Sequence, residues 1–298
     1  MAAGFLGLSA PTASADSVVS RIDVYSPSMD RWIANDVISP AGGGPAPTFY
    51  LLTGVGGGED GISWFNNTGV RDFFDDKHVN VVMPVGGKFS MYTDWNADDP
   101  VLGRNKWQTY LTKELPAAVN ARYNTTGVNA LGGVSMAGGP VLDLAIQSPG
   151  TYRAVGSYSG CPRAGDPLGQ AAVRSMVEIL GGGNAANMWG PWGSPQWAAH
   201  DPLINAEKLR GTALFISTGN GLPCPVDGIN SLAMAAGVVP GAVLEGITNM
   251  CTAALQGRFG QLGIPATFSF RPEGTHTWGL FEADMRASWP MIASAIGA

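Results

Sequence analysis

Six short runs rich in β-branched and other apolar residues punctuate the chain: Thr48 to Leu52, Val79 to Pro84, Val128 to Val134, Ala154 to Tyr158, Ala213 to Thr218 and Ala266 to Phe270. Helix-length segments separate several of them. This alternation constrains the fold most, because strands joined through crossover helices pair in parallel and need apolar cover on both faces. Lys106 to Arg122 reads as one such helix, with Trp107, Tyr110, Leu111, Leu115, Ala118 and Val119 near one face. The fold class that follows is α/β, a largely parallel central sheet with helices on both faces. At 298 residues, 45% of them hydrophobic, the chain can bury one large core, and residues 16–298 are read as a single domain. Sheets of this kind place ligands at the carboxyl ends of their strands. The turns that matter are therefore Thr53 to Gly58, Val85 to Trp95, Ser135 to Gly139, Ser159 to Pro162, Gly219 to Cys224 and Arg271 to Trp278.

Composition removes several function classes. The net charge of −6 would repel a nucleic-acid backbone, so nucleic acid is not an expected partner. No run approaches the length of a transmembrane helix, and no transmembrane segment is expected. The apolar start, Met1 to Ala10, with Ala13-Ser14-Ala15 before Asp16, fits a signal-peptidase site although the basic opening segment is missing. Residues 1–15 are read as the remnant of a signal peptide and the mature protein as exported. Cys161, Cys224 and Cys251 show no metal-ligand spacing, and neither a metal nor a cofactor is called for. In an oxidising compartment the expected pair is Cys224 with Cys251, which flank the region where the catalytic acid is expected and would close a loop of about 27 residues worth roughly 3 kcal/mol. Three free buried thiols are the alternative.

The chemistry centres on Gly132-Gly133-Val134-Ser135-Met136-Ala137-Gly138. A serine hydroxyl is a poor nucleophile until a base takes its proton, and it must stand clear of its own backbone. A sharp strand-to-helix turn presents it so, as in the α/β-hydrolase fold; Val128 to Leu131 supplies the strand, Gly133 and Ala137 the small residues, and Met136 to Ile146 the helix. Alanine at 137 replaces the usual glycine. In this fold the acid and then the histidine follow the serine. Only His276, in Glu273-Gly274-Thr275-His276-Thr277-Trp278, follows near the C-terminus, directly after a strand; His78 and His200 are read as structural or exposed. For the acid, Asp227 lies just after the strand ending near Thr218 and Glu245 lies further on, in the helical stretch Gly241 to Gln256; pattern alone favours Asp227 slightly. Two backbone N–H groups must receive the oxyanion, from Met136 and from Val55 in Thr53-Gly54-Val55-Gly56-Gly57-Gly58. A phosphate loop is the competing reading of that glycine run, but the Lys-Ser/Thr ending is missing.

Several collinear stretches resemble the mycolyltransferase family of mycolic-acid-bearing actinobacteria, the antigen 85 group and its corynebacterial relatives. They are Ser26-Pro27-Ser28-Met29, Val82 to Gly87, Tyr92-Thr93-Asp94-Trp95, Gly133 to Gly138, Met188-Trp189-Gly190-Pro191, Gly219-Asn220-Gly221 and Gly274 to Trp278. The resemblance makes Ala137 regular and moves the acid to Glu245, in a Leu-Glu pair about thirty residues before His276. It assigns the oxyanion donors to Val55 and Met136. It implies acyl transfer from a mycolate ester such as trehalose monomycolate, through a serine ester, to a hydroxyl of trehalose monomycolate, arabinogalactan or a protein serine in the cell envelope. Trehalose-binding members carry an acidic residue two places before Val55 and an arginine just after it. Here these are Thr53 and Gly56. Trehalose recognition of the usual kind is thus not expected and the acceptor is open; Thr53 and Gly56 at these positions, with Trp278, are the candidate substrate contacts. The apolar stretch Ile229 to Leu255 is expected either to line a groove for alkyl chains or to form a core helix. Trp64, Trp95, Trp189, Trp192 and Trp278 either stack on sugar rings or are buried. The rival readings are a secreted esterase, in which water resolves the acyl-enzyme, and a non-catalytic wall-binding module.

Overall fold

A computed structural model describes the backbone of residues 17–228 and 232–298, and the side chains of all these except 232–238. The expected signal segment 1–15 and the beginning of the apolar stretch at Ile229 lie outside the described residues. Among the described residues, eight strands form one sheet: β1 (Val18–Ser26), β2 (Arg31–Ser39), β3 (Ala46–Leu52), β4 (Asn80–Pro84), β5 (Thr125–Val134), β6 (Ala154–Tyr158), β7 (Ala213–Thr218) and β8 (Thr267–Phe270). Their order is β1-β2-β4-β3-β5-β6-β7-β8. The six strands read from the sequence are the parallel part, β3 to β8.

The first two strands, β1 and β2, add an antiparallel extension at one edge that the apolar runs do not announce. In β1 the inward residues alternate with Arg21, Asp23 and Tyr25, and in β2 the buried Asn35 breaks the apolar pattern. Asn35 is satisfied there by the Ile33 carbonyl, 2.8 Å away, and the Tyr110 hydroxyl, 3.0 Å away.

Period-two alternation divides the central strands between two cores. Tyr50, Leu52, Leu131, Val155 and Ile216 face one side, covered by α1 (Leu115–Arg122), α2 (Gly138–Gln147) and α3 (Leu232–Leu262). Phe49, Leu51, Ala130, Val134 and Phe215 face the other, covered by Trp64, Phe74 and α4 (Trp278–Ile296). The expected helix over Lys106 to Arg122 is present, with a wider π turn over Tyr110–Glu114 before α1.

The cysteine pairing differs from the expectation. Cys161 and Cys251 form the disulfide, with Cα atoms 5.1 Å apart, and Cys224 is free. The reason is the course of α3, which runs past the loop after β6. Cys251 meets Cys161 there, whereas Cys224 opens a short turn tied to Asp227. Flanking the region of the acid in sequence does not bring Cys224 and Cys251 together in space.

Candidate active site

The β5–α2 junction is built around one strained residue. Ser135 has φ of 56°, a left-handed conformation that an L-residue adopts only when its surroundings enforce it. The enforcement is steric. A Cβ on Gly133 would lie 2.6 Å from Val141 Cγ1 and 2.9 Å from Ala137 Cβ, so the strand can turn this tightly onto α2 only with glycine there. The short 3-10 turn Ser135–Ala137 then leads into α2 and lifts the serine hydroxyl off the strand end.

His276 sits in the loop between β8 and α4. Its Nε2 lies 2.7 Å from Ser135 Oγ and its Nδ1 lies 2.7 Å from Glu245 Oε2. Ser135, His276 and Glu245, remote in sequence, thus form one continuous hydrogen-bonded chain at the carboxyl ends of the strands. Phe281 stands edge-on to the imidazole, with centroids 4.9 Å apart.

Glu245, on α3, is fully buried. Burial pushes its carboxyl up. The hydrogen bond and charge of His276, with hydrogen bonds from Ser159 and Gly219, more than offset this and hold it below the usual glutamate range. Its second oxygen, Oε1, accepts from the Gly219 N–H at 2.6 Å, Ser159 Oγ at 2.7 Å and Thr218 Oγ1 at 3.2 Å. Such a cradle keeps the carboxylate ionised and fixes which oxygen faces the imidazole. Ser159 itself has φ of 49°, a second left-handed residue at a strand end.

Asp227, favoured by pattern, lies outside this chain. Its carboxylate accepts the Thr275 N–H at 3.0 Å, the Thr277 hydroxyl at 2.8 Å and the Cys224 N–H at 2.8 Å. Burial raises its carboxyl and these bonds lower it further than burial raises it. Asp227 therefore clamps the residues on both sides of His276. Neither this clamp nor the Ser159–Thr218–Gly219 cradle was read from the sequence, because each depends on contacts across separate elements. The positive φ at Ser159 leaves no mark in the residue type.

The turn after β3 lies against the serine: a Cβ on Gly54 would be 3.4 Å from Ser135 Cβ. Val55 follows, its carbonyl tied to the Phe89 N–H at 3.0 Å. Buried Tyr92 donates from its hydroxyl toward the Thr53 and Gly86 carbonyls, each at 3.3 Å, and pins this turn. Met136 lies in the first turn of its helical segment, where backbone N–H groups have no partner within the helix. Thr53 is only 3% exposed, and its hydroxyl has no partner among the described residues. A Cβ on Gly56 would meet Asp60 Oδ2 at 2.2 Å, so the Asp60 carboxylate fills the space beside Gly56. Trp278 opens α4 half-buried, edge-on to Trp64 at 5.4 Å.

Of the tryptophans offered as sugar contacts, Trp64, Trp95 and Trp189 are buried in the core, which removes them from that role; Trp192 is exposed. His200 is structural as expected, paired with Asp143 at 2.7 Å and stacked on Trp189. His78 is exposed, before β4.

The Esterase family model matches residues 26–291. The chain is 33% identical over 314 aligned positions to the diacylglycerol acyltransferase/mycolyltransferase Ag85A of Mycobacterium tuberculosis, covering 100% of this chain and 89% of that protein. The chain belongs to the antigen 85 mycolyltransferase family. Ag85A of Mycobacterium leprae is 34% identical over 94% of this family member and 84% of its own length. Among solved structures, Mycobacterium tuberculosis MPT51 (FbpC1) superposes with a TM-score of 0.77 at 26% identity, over 94% of this chain and 99% of that one. An S-formylglutathione hydrolase from Agrobacterium tumefaciens shares the fold, with a TM-score of 0.70 at 15% identity over 94% of this chain and 96% of that one. The antigen 85 member is thus an α/β-hydrolase-type acyltransferase.

Proposed function

We propose that this enzyme moves a mycolyl group from a donor ester such as trehalose monomycolate, through an ester on Ser135, to a hydroxyl of the cell envelope. The single observation that carries the reading is the hydrogen-bonded chain from Ser135 through His276 to Glu245 in a member of the antigen 85 family.

His276 Nε2 takes the Ser135 proton as Oγ attacks the donor carbonyl. The N–H groups of Val55 and Met136 receive the oxyanion. Collapse of the tetrahedral intermediate breaks the bond to the sugar oxygen, and His276 returns the proton to that leaving alcohol. An acceptor hydroxyl then enters, gives its proton to the same nitrogen and attacks the acyl carbonyl; collapse breaks the ester bond to Ser135 Oγ, which takes the proton back from His276. Glu245 accepts the Nδ1–H throughout, selecting the tautomer whose Nε2 is a free base and stabilising the imidazolium. Thr53, Gly56 and Trp278 border the sugar of donor or acceptor. Trehalose monomycolate, arabinogalactan and a protein serine are the acceptor classes.

Val243, Leu244, Ile247 and Met250 form an exposed apolar side of α3, next to Glu245, along which a long acyl chain can lie. The Cys161–Cys251 disulfide supports an oxidising compartment outside the cytoplasm and hence export, with residues 1–15 as a signal remnant.

Product analysis with a labelled mycolate ester tests the reading. Label on an added hydroxyl acceptor is expected. Free fatty acid as the sole product, with every acceptor class supplied, would overturn transfer in favour of hydrolysis.

A further inference from the structure

The edge hairpin β1–β2 carries an aromatic pair that the folded core does not need. The register sets Tyr25 directly opposite Trp32, and their rings lie 5.4 Å apart. Trp32 is 69% exposed and Tyr25 41%. Leaving an indole in water forgoes the burial that normally makes tryptophan favourable, which marks a face awaiting a ligand when polar groups converge beside it.

Polar groups do converge. Trp32 forms the ridge between two open grooves. One, of 460 Å³, runs along β1 toward α1 and is bordered by Arg21, Asp23, Tyr25 and Arg122. The other, of 230 Å³, is bordered by Arg31, Glu59, Gly86 and Trp107. Arg31 is half-buried, its guanidinium 5.7 Å over the Trp107 ring. Among the described residues its side chain donates one hydrogen bond, to the weak acceptor Met29 Sδ, and makes no ion pair. A half-buried guanidinium normally meets an acceptor, and Arg31 borders the groove from which one could come.

The chemistry of the lining selects the ligand. Arg21, Arg31 and Arg122 share the two linings with Asp23 and Glu59, and Arg21 and Glu59 are already paired with Asp36 and Lys88, so a polyanion would meet carboxylates as well as guanidiniums. A purely apolar partner would leave these groups desolvated and unpaired. A neutral chain of sugar rings satisfies both demands: its C–H faces stack on Trp32 and Tyr25, and its hydroxyls pair with arginine and carboxylate.

The second groove lies at the same end of the sheet as the candidate active site: β2 runs antiparallel to β4 with Asn35 opposite Pro84, so Arg31 and Trp32 stand beyond the carboxyl end of β4. Its wall at Gly86 donates an N–H to the Gly57 carbonyl at 2.7 Å, in the turn that contains Val55, and Glu59 is ion-paired with Lys88 at 3.1 Å on the same turn.

We propose that Tyr25, Trp32 and Arg31 form a binding platform for an extended neutral glycan, which holds a polysaccharide acceptor while one of its hydroxyls reaches the acyl-enzyme. This rests on the reading that the acceptor hydroxyl belongs to a glycan. It is compatible with the departures at Thr53 and Gly56: these residues border the sugar unit nearest the serine, and the hairpin holds the rest of the chain.

The test compares the parent with Trp32→Ala and Trp32→Phe, using soluble arabinan and galactan hexasaccharides as probes and trehalose as the short control. Calorimetry is expected to show hexasaccharide binding weakened about tenfold or more by Trp32→Ala, with partial recovery in Trp32→Phe. Hydrolysis of a short chromogenic ester should stay at the parental rate in both variants. Transfer of acyl groups to the hexasaccharide should fall with binding, and transfer to trehalose should not. Parental binding of either hexasaccharide by Trp32→Ala, or no binding by the parent, overturns the platform. Trp32-dependent binding without acyl transfer to any hydroxyl supports the platform and removes the transferase reading instead.

Discussion

The serine side and the acid side of the site are held by different physics. At Ser135 a few contiguous residues do the work: Gly133 admits the tight turn, Ala137 and Val141 close over it, and φ at the serine is forced to 56°. At Glu245 nothing local suffices. One carboxylate gathers donors from Ser159 after β6, from Thr218 and Gly219 at the end of β7, and from His276 after β8. Steric enforcement is concentrated, so a single atom can break it. A shared hydrogen-bond cradle is distributed, so only removal of its centre is catastrophic.

Glu245→Gln gives the largest effect. The amide reverses the preferred imidazole tautomer, and kcat for acyl transfer is expected to fall by roughly 10⁴-fold. The same change alters the acid limb of stability. The carboxyl is depressed in the fold, so its stabilisation is complete above the unfolded value of about 4.3 and is lost as pH falls through the lower folded value. Urea midpoints between roughly pH 3 and 7 should therefore show a component in the parent that Glu245→Gln lacks; equal profiles would contradict it. Gly133→Val comes next, losing about 1–3 kcal/mol of stability through overpacking, together with most of the activity. Retention of both would mean that the turn is not sterically enforced. Asp227→Ala should cost about tenfold in kcat by loosening the loop around His276, with little change in KM. Ser159→Ala should cost least, a few-fold, because Gly219 and Thr218 still hold Oε1. A loss as large as that of Glu245→Gln would break the distinction between a concentrated and a distributed side.

The same distinction governs what the sequence discloses. Strands β3 to β8, the serine turn and His276 follow from local patterns: apolar runs, small residues around a serine, and a histidine after the last strand. Pattern slightly favours Asp227 over Glu245, and misleads, since both lie after β7 and only the course of α3 decides which reaches the imidazole. Resemblance to a family supplied that choice. The expected Cys224–Cys251 pairing failed for the same reason, the Cys161–Cys251 bridge being set by where α3 passes the β6 loop. Strands β1 and β2 escaped because charged residues interleave one and buried Asn35 interrupts the other. Burial separated core tryptophans from the exposed Trp32, which no motif had singled out.

The central claim is that Ser135 carries the acyl group, and active-site labelling tests it most directly. After reaction with a fluorophosphonate probe, digestion and mass spectrometry should place the adduct on the Ser135 peptide of the parent, and the folded Ser135→Ala variant should carry none. Labelling of Ser135→Ala to the parental extent would contradict the account.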